Sequence, residues 1–187
     1  MIRRHGALLS RGLVALALGL LTACSAATGS GGGPTATGAT ATASTAGADV
    51  AATAALTLDG RTLDGAPFDS SHLAGGPAVL WFWAPWCTIC RVEAPEVAEV
   101  AGEYAGRVAV IGVAGRGDVP SMQEFVADTG TGSFPHLVDE EGRLWNRFGV
   151  VSQPAFVFVD RTGATETFAG SLSGEELRAI VDDLASG

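Results

Sequence analysis

The chain has 187 residues, 47% of them apolar, with 26 Gly, no Lys and a formal net charge of −9. That length suits one domain of ordinary size with appendages, and the apolar content is enough for a hydrophobic core. Three Arg in the first 11 residues precede all 20 acidic residues, so from residue 24 onward 8 Arg face 20 Asp and Glu, a balance that argues against nucleic acid or an anionic membrane surface as partner.

Arg3, Arg4 and Arg11 lead into an unbroken apolar run at 13–21, and Leu21-Thr22-Ala23-Cys24 follows. A charged start, an apolar stretch too short to span a bilayer and small residues at a cleavage point describe a secretory signal. The tetrapeptide resembles the lipobox of bacterial lipoproteins. That implies a signal peptide at 1–23, lipidation of Cys24 and an extracytoplasmic location anchored to the cell membrane. An ordinary signal peptide that happens to end near a cysteine is the alternative. Arg3-Arg4 leaves open whether export is by the Sec or the twin-Arg route. Residues 24–52 are dominated by Ala, Thr, Gly and Ser, with almost nothing to bury. A disordered tether is expected there, with an r.m.s. span of about 30 Å.

Residues 53–187 read as the folded part. Residues 56–63 suggest two short strands around an Asp59-Gly60 turn, an N-terminal β-hairpin. The apolar run at 78–83 fits a buried central strand, broken by Ala84-Pro85-Trp86. Helical spacing follows from about Cys87 to Tyr104, with Val92, Val97, Val100, Ala101 and Tyr104 as its inward face and Pro95 as a kink. A second apolar strand covers 108–113, and a helix at 120–129 closes at Gly130. A short strand at 134–138 precedes an acidic turn and a helix at 141–148. Strands at 155–159 and 165–169 form a hairpin through Arg161-Thr162-Gly163. Ser173 and Glu176 spell a capping box opening the last helix, to about residue 185. The order β-α-β-α-β, hairpin, helix implies an α/β domain with a mixed central sheet flanked by helices.

Cys87 and Cys90, three apart at a helix start, lie within disulfide reach. At the helix N-terminus, free backbone N–H groups and the helix dipole stabilise a thiolate on Cys87, making it both nucleophile and leaving group. Cys90, one turn deeper, is placed to resolve a mixed disulfide. Zinc would need further ligands, and His72 and His136 are far apart in sequence. A structural disulfide closing so small a ring contributes little stability. A copper-delivery role is the third rival.

Residues 82–95, FWAPWCTICRVEAP, resemble the active-site stretch of the thioredoxin superfamily, and most of all its TlpA/ResA/DsbE group of extracytoplasmic thiol–disulfide oxidoreductases. Residues 63–82, Phe134-Pro135 with Leu137 and Asp139, and residues 150–163 extend the likeness over about 56–185. The resemblance implies a thioredoxin-like fold and a redox-active Cys87–Cys90 disulfide with no other cofactor and no metal. It implies a cis Pro154, with the Gln153 backbone free to pair with an extended substrate. It also implies Glu93 as proton partner of Cys90, where the bottom-up alternative is a solvated glutamate like Glu96 or Glu99. Trp86 becomes an apolar rim touched by substrate, with core packing as its competing role. Two features depart from relatives. Trp81 occupies the place where cytoplasmic thioredoxins keep a buried Asp, and Thr88-Ile89 separates the cysteines. The dipeptide tunes potential, so the direction of electron flow is open. Oxidation of exported proteins is slightly favoured over reduction of apocytochrome c or other exported thiols. The expected partners are exported cysteine-containing proteins and a membrane redox protein that recycles the pair. A non-catalytic lipoprotein binding a partner or metal is the reading from another class.

Overall fold

The computed structural model describes residues 58–73 and 75–187; the signal segment, Cys24, the tether and the first residues of the expected hairpin lie outside the described residues. A 3-10 turn at Ser70–Leu73 leads into β1 (Ala78–Trp83), α1 (Thr88–Glu103), β2 (Ala109–Gly115) and α2 (Val119–Thr129). Then come β3 (His136–Asp139), α3 (Arg143–Arg147), β4 (Ala155–Val159), β5 (Thr165–Ala169) and α4 (Gly174–Ser186). The sheet order is β3-β2-β1-β4-β5, with β1, β2 and β3 parallel and β4 and β5 antiparallel. This is the mixed sheet of a thioredoxin-like fold.

Alternation along β1 shows how one strand builds two cores. Val79, Trp81 and Trp83 point to one face, where Cys90 and Val97 of α1, Phe125 of α2 and Leu177 of α4 meet them. Ala78, Leu80 and Phe82 point to the other, against Leu144 and Trp145 of α3 and the early residues Leu58 and Leu73. The continuous apolar run is therefore buried on both sides, as a central strand between helices must be. Trp83 and Phe125 stack at 4.2 Å. Trp83 also donates its indole N–H to Nδ1 of buried His136, whose Nε2 bonds the Thr131 carbonyl. Desolvation pushes His136 down to about 4, so it is a neutral core group at neutral pH.

Two expectations are corrected. The hairpin does not turn at Asp59-Gly60. Residues 61–63 instead lie along the open edge of β3, with Thr62 bridging Leu137, Leu63 N donating to His136 O and Val138 N donating to Arg61 O. The reversal falls five residues later, at Asp64-Gly65, where Gly65 takes φ 85° and Arg61 bridges Pro67. An unpaired parallel edge outcompetes a local turn, because it satisfies backbone groups that would otherwise stay open. Val92, expected on the inward face of α1, is 80% exposed. The buried stripe is Cys90, Glu93, Ala94, Val97 and Val100, at positions i, i+3, i+4, i+7 and i+10 of one helix face, and Val92 faces away from it.

Candidate active site

The site forms where β1 ends and α1 begins. Cys87 N donates to Ala84 O to close the turn, and Cys87 is the N-cap of α1, its Sγ accepting from Cys90 N at 3.1 Å. The two sulfurs are joined as a disulfide with Cα atoms 5.3 Å apart. Cys90 is fully buried, whereas 5% of Cys87 reaches solvent, so Cys87 is the member of the pair nearer the surface. Around it stands an apolar collar of Trp86, Ile89 and Val151, all more than half exposed. Trp86 is thus a rim residue, not a core one, and its indole N–H donates to Arg116 O at 2.7 Å.

One turn after Cys90, Glu93 is 3% exposed. Its Oε1 accepts from the Trp81 indole N–H at 2.8 Å and its Oε2 from the Ser171 hydroxyl at 2.6 Å. Burial raises its pKa above the ordinary carboxylate value, opposed by the Ser171 and Trp81 bonds. Trp81 therefore does more than displace an upstream Asp; it supplies a donor to the carboxyl group that this chain buries instead. Glu96, by contrast, is exposed and accepts from Gly174 N at the head of α4.

Opposite the cysteines runs the segment before β4. The antiparallel register pairs Phe82 with Ala155, which sets Pro154 beside the end of β1, a few residues before Cys87. The Gln153–Pro154 peptide bond is cis. Pro154 is buried, Gln153 half-buried and Val151 exposed. Arg116, at the carboxyl end of β2, reaches this segment: its guanidinium donates to Val151 O at 2.8 Å and to Gln153 Oε1 at 3.3 Å, and lies 4.5 Å over the Trp145 ring. The structure thus gathers Cys87, Cys90, Glu93, Trp86, Gln153 and Pro154 at one end of the sheet.

Sequence reasoning missed Arg116 and Ser171. For Arg116 a signal existed: Gly115-Arg116-Gly117 follows an apolar parallel strand, and loops at the carboxyl ends of such strands carry binding groups. Ser171 had none, being one polar residue in a loop before a helix.

Residues 49–166 match the AhpC/TSA family. Among curated proteins, the soluble secreted antigen MPT53 of Mycobacterium tuberculosis is 44% identical over 124 residues, covering 64% of this chain and 70% of MPT53. Among solved structures, MTB DsbF, seen in mixed oxidised and reduced forms, superposes with a TM-score of 0.67 at 46% identity, over 70% of this chain and 97% of its own. A secreted M. tuberculosis disulfide oxidoreductase homologous to E. coli DsbE gives 0.65 at 41%, over 70% and 98%. With a joined cysteine pair at the helix head and relatives of this kind, the chain belongs to the AhpC/TSA family and is a thioredoxin-like thiol–disulfide oxidoreductase of the TlpA/ResA/DsbE type.

Proposed function

We propose that this protein exchanges disulfides with cysteines of exported proteins, in the oxidising direction, outside the cytoplasm and tethered to the membrane through lipidated Cys24. The observation that carries the exchange is the asymmetry of the pair: Cys87 caps α1 and retains some exposure to solvent, while Cys90 is fully buried. A substrate thiolate attacks Cys87 Sγ, the Cys87–Cys90 bond breaks, and Cys90 leaves as a thiolate that takes a proton from Glu93. A second substrate thiolate then attacks the mixed disulfide. Substrate departs with its disulfide and Cys87 departs as a thiolate stabilised by the N-terminus of α1. Two electrons pass to the pair, which a membrane redox protein must remove. Trp86 offers an apolar rim to the substrate and the backbone of Gln153 pairs with its extended chain. The location is supported by the charged and apolar leader, the Leu21–Cys24 tetrapeptide and the secretion of MPT53.

The test is a dithiol-peptide oxidation assay on the wild type, Cys87→Ser and Cys90→Ser, with the reduction potential of the pair. Cys87→Ser and Cys90→Ser should both lose turnover, and Cys90→Ser, given the peptide in its disulfide form, should trap a mixed disulfide as Cys87 attacks that bond and one peptide thiol is released. Activity indifferent to Cys87→Ser sinks the reading. A potential near about −120 mV supports oxidation, and one near or below about −270 mV reverses the direction.

A further inference from the structure

The loop after β2 combines three facts that the exchange chemistry alone does not explain. Its flanking residues are glycine for want of space: a Cβ at Gly115 would press on the Trp145 indole, and one at Gly117 would collide with Pro85. The middle residue, Arg116, has φ 57° and is the one non-glycine residue with positive φ among the described residues. This left-handed conformation favours glycine, and a residue with a Cβ adopts it at a cost. The chain therefore places its side chain where the backbone would favour having none, between two positions that permit none.

What that side chain does is visible in its partners. The guanidinium donates to Val151 O and Gln153 Oε1 and stacks on Trp145, while the backbone carbonyl of Arg116 accepts from Trp86. One residue thus fastens two parts of the chain near Cys87: Trp86, through its backbone carbonyl, and the segment leading to Pro154, through its guanidinium. The planar guanidinium suits this use, since it presents several donors in fixed geometry and a flat face for the indole.

We propose that Arg116 is a positioning residue for substrate recognition, holding residues 151–153 at a fixed distance from Trp86 so that an extended cysteine-bearing peptide seats between them. This rests on the exchange reading above. Arg116 takes no part in breaking or forming the sulfur bonds. Its loss lets the segment before Pro154 move away from Trp86, so peptide binding suffers and the sulfur chemistry of bound substrate does not.

The test is steady-state oxidation of a two-cysteine peptide, with glutathione disulfide re-oxidising the pair, for wild type, Arg116→Gly and Arg116→Met. Arg116→Gly keeps the carbonyl that accepts from Trp86 and suits the left-handed backbone, so it removes the side chain and leaves the backbone bond. The expected result is a KM for the peptide raised at least tenfold, with kcat within threefold of wild type and an unaltered reduction potential. Arg116→Met, which keeps an apolar cover over Trp145, should show the same split and serves if the glycine loosens the fold. An unchanged KM, a fall in kcat as large as the rise in KM, or a shifted potential overturns the proposal. A wild type that fails to oxidise the peptide at all overturns the exchange reading instead, and is scored before any variant.

Discussion

Burial at the centre of the molecule favours the protonated form of Glu93, while the Ser171 hydroxyl and the Trp81 indole N–H favour the carboxylate, and burial is the stronger influence. The sign for stability follows from proton counting. A folded carboxyl whose pKa lies above its unfolded value holds its proton longer than the unfolded chain does. Its contribution is complete below the unfolded value of 4.5 and is lost as pH rises through the higher folded value. Glu93→Gln, uncharged throughout, should show a urea midpoint that does not fall across that window, and should exceed the wild type in stability at neutral pH. The same variant should slow attack of Cys90 on a mixed disulfide by about 100-fold, since it can neither take nor return a proton. Stopped-flow reaction of the reduced pair with glutathione disulfide measures this. A Glu93→Gln rate equal to the wild type across pH would reduce Glu93 to a core residue.

At the scale of elements, α1 and α4 are coupled through their ends and faces. α1 runs through Pro95, which has no N–H for Arg91 O, and tertiary packing compensates. Arg178 of α4 pairs with Glu99 and Glu103 of α1 at 2.9 and 3.0 Å, an exposed arrangement worth little by itself. More is contributed at the head of α4, where the Ser173 and Glu176 capping box forms in full and Glu96 accepts the Gly174 amide. Ser173→Ala should cost about 1 kcal/mol in urea denaturation. Because Ser171, two residues earlier, anchors Glu93, this loss should also slow the Cys90 step measurably while leaving the helix content nearly unchanged. A loss of stability well below that amount would mean that Glu96 alone secures the helix.

For the whole molecule, the disulfide closes a ring so short that its entropic effect on the unfolded chain is on the order of 2 kcal/mol. The difference in stability between the oxidised and reduced folds therefore reports how the structure treats the free sulfurs. An oxidant is a protein whose reduced form is the stabilised one. Here the N-terminus of α1 faces Cys87 and a buried carboxyl group follows Cys90 by one turn, an environment that favours the reduced pair. Reduction with dithiothreitol should thus raise the urea midpoint. A lower midpoint after reduction would mark the protein as a reductant.

Much of this architecture was legible in the residues themselves. The run at 78–83 could only be buried on both faces. Gly130 ends α2, Ser173 opens α4, and β4 and β5 fall where their composition puts them. The cysteine spacing after a strand and a sharp turn pointed to redox chemistry, because local geometry alone brings the sulfurs together. What the sequence could not decide depended on partners distant along the chain. The 61–63 segment left its local turn for the edge of β3, Val92 fell on the outer face of α1, and Ser171, 78 residues from Glu93, came to hold its carboxyl. Arg116 reached residues 35 and 37 positions away. Short-range spacing determines which residues can form an element; only the folded sheet determines which loop ends meet at its edge, and the surroundings of the cysteine pair are made of such loop ends.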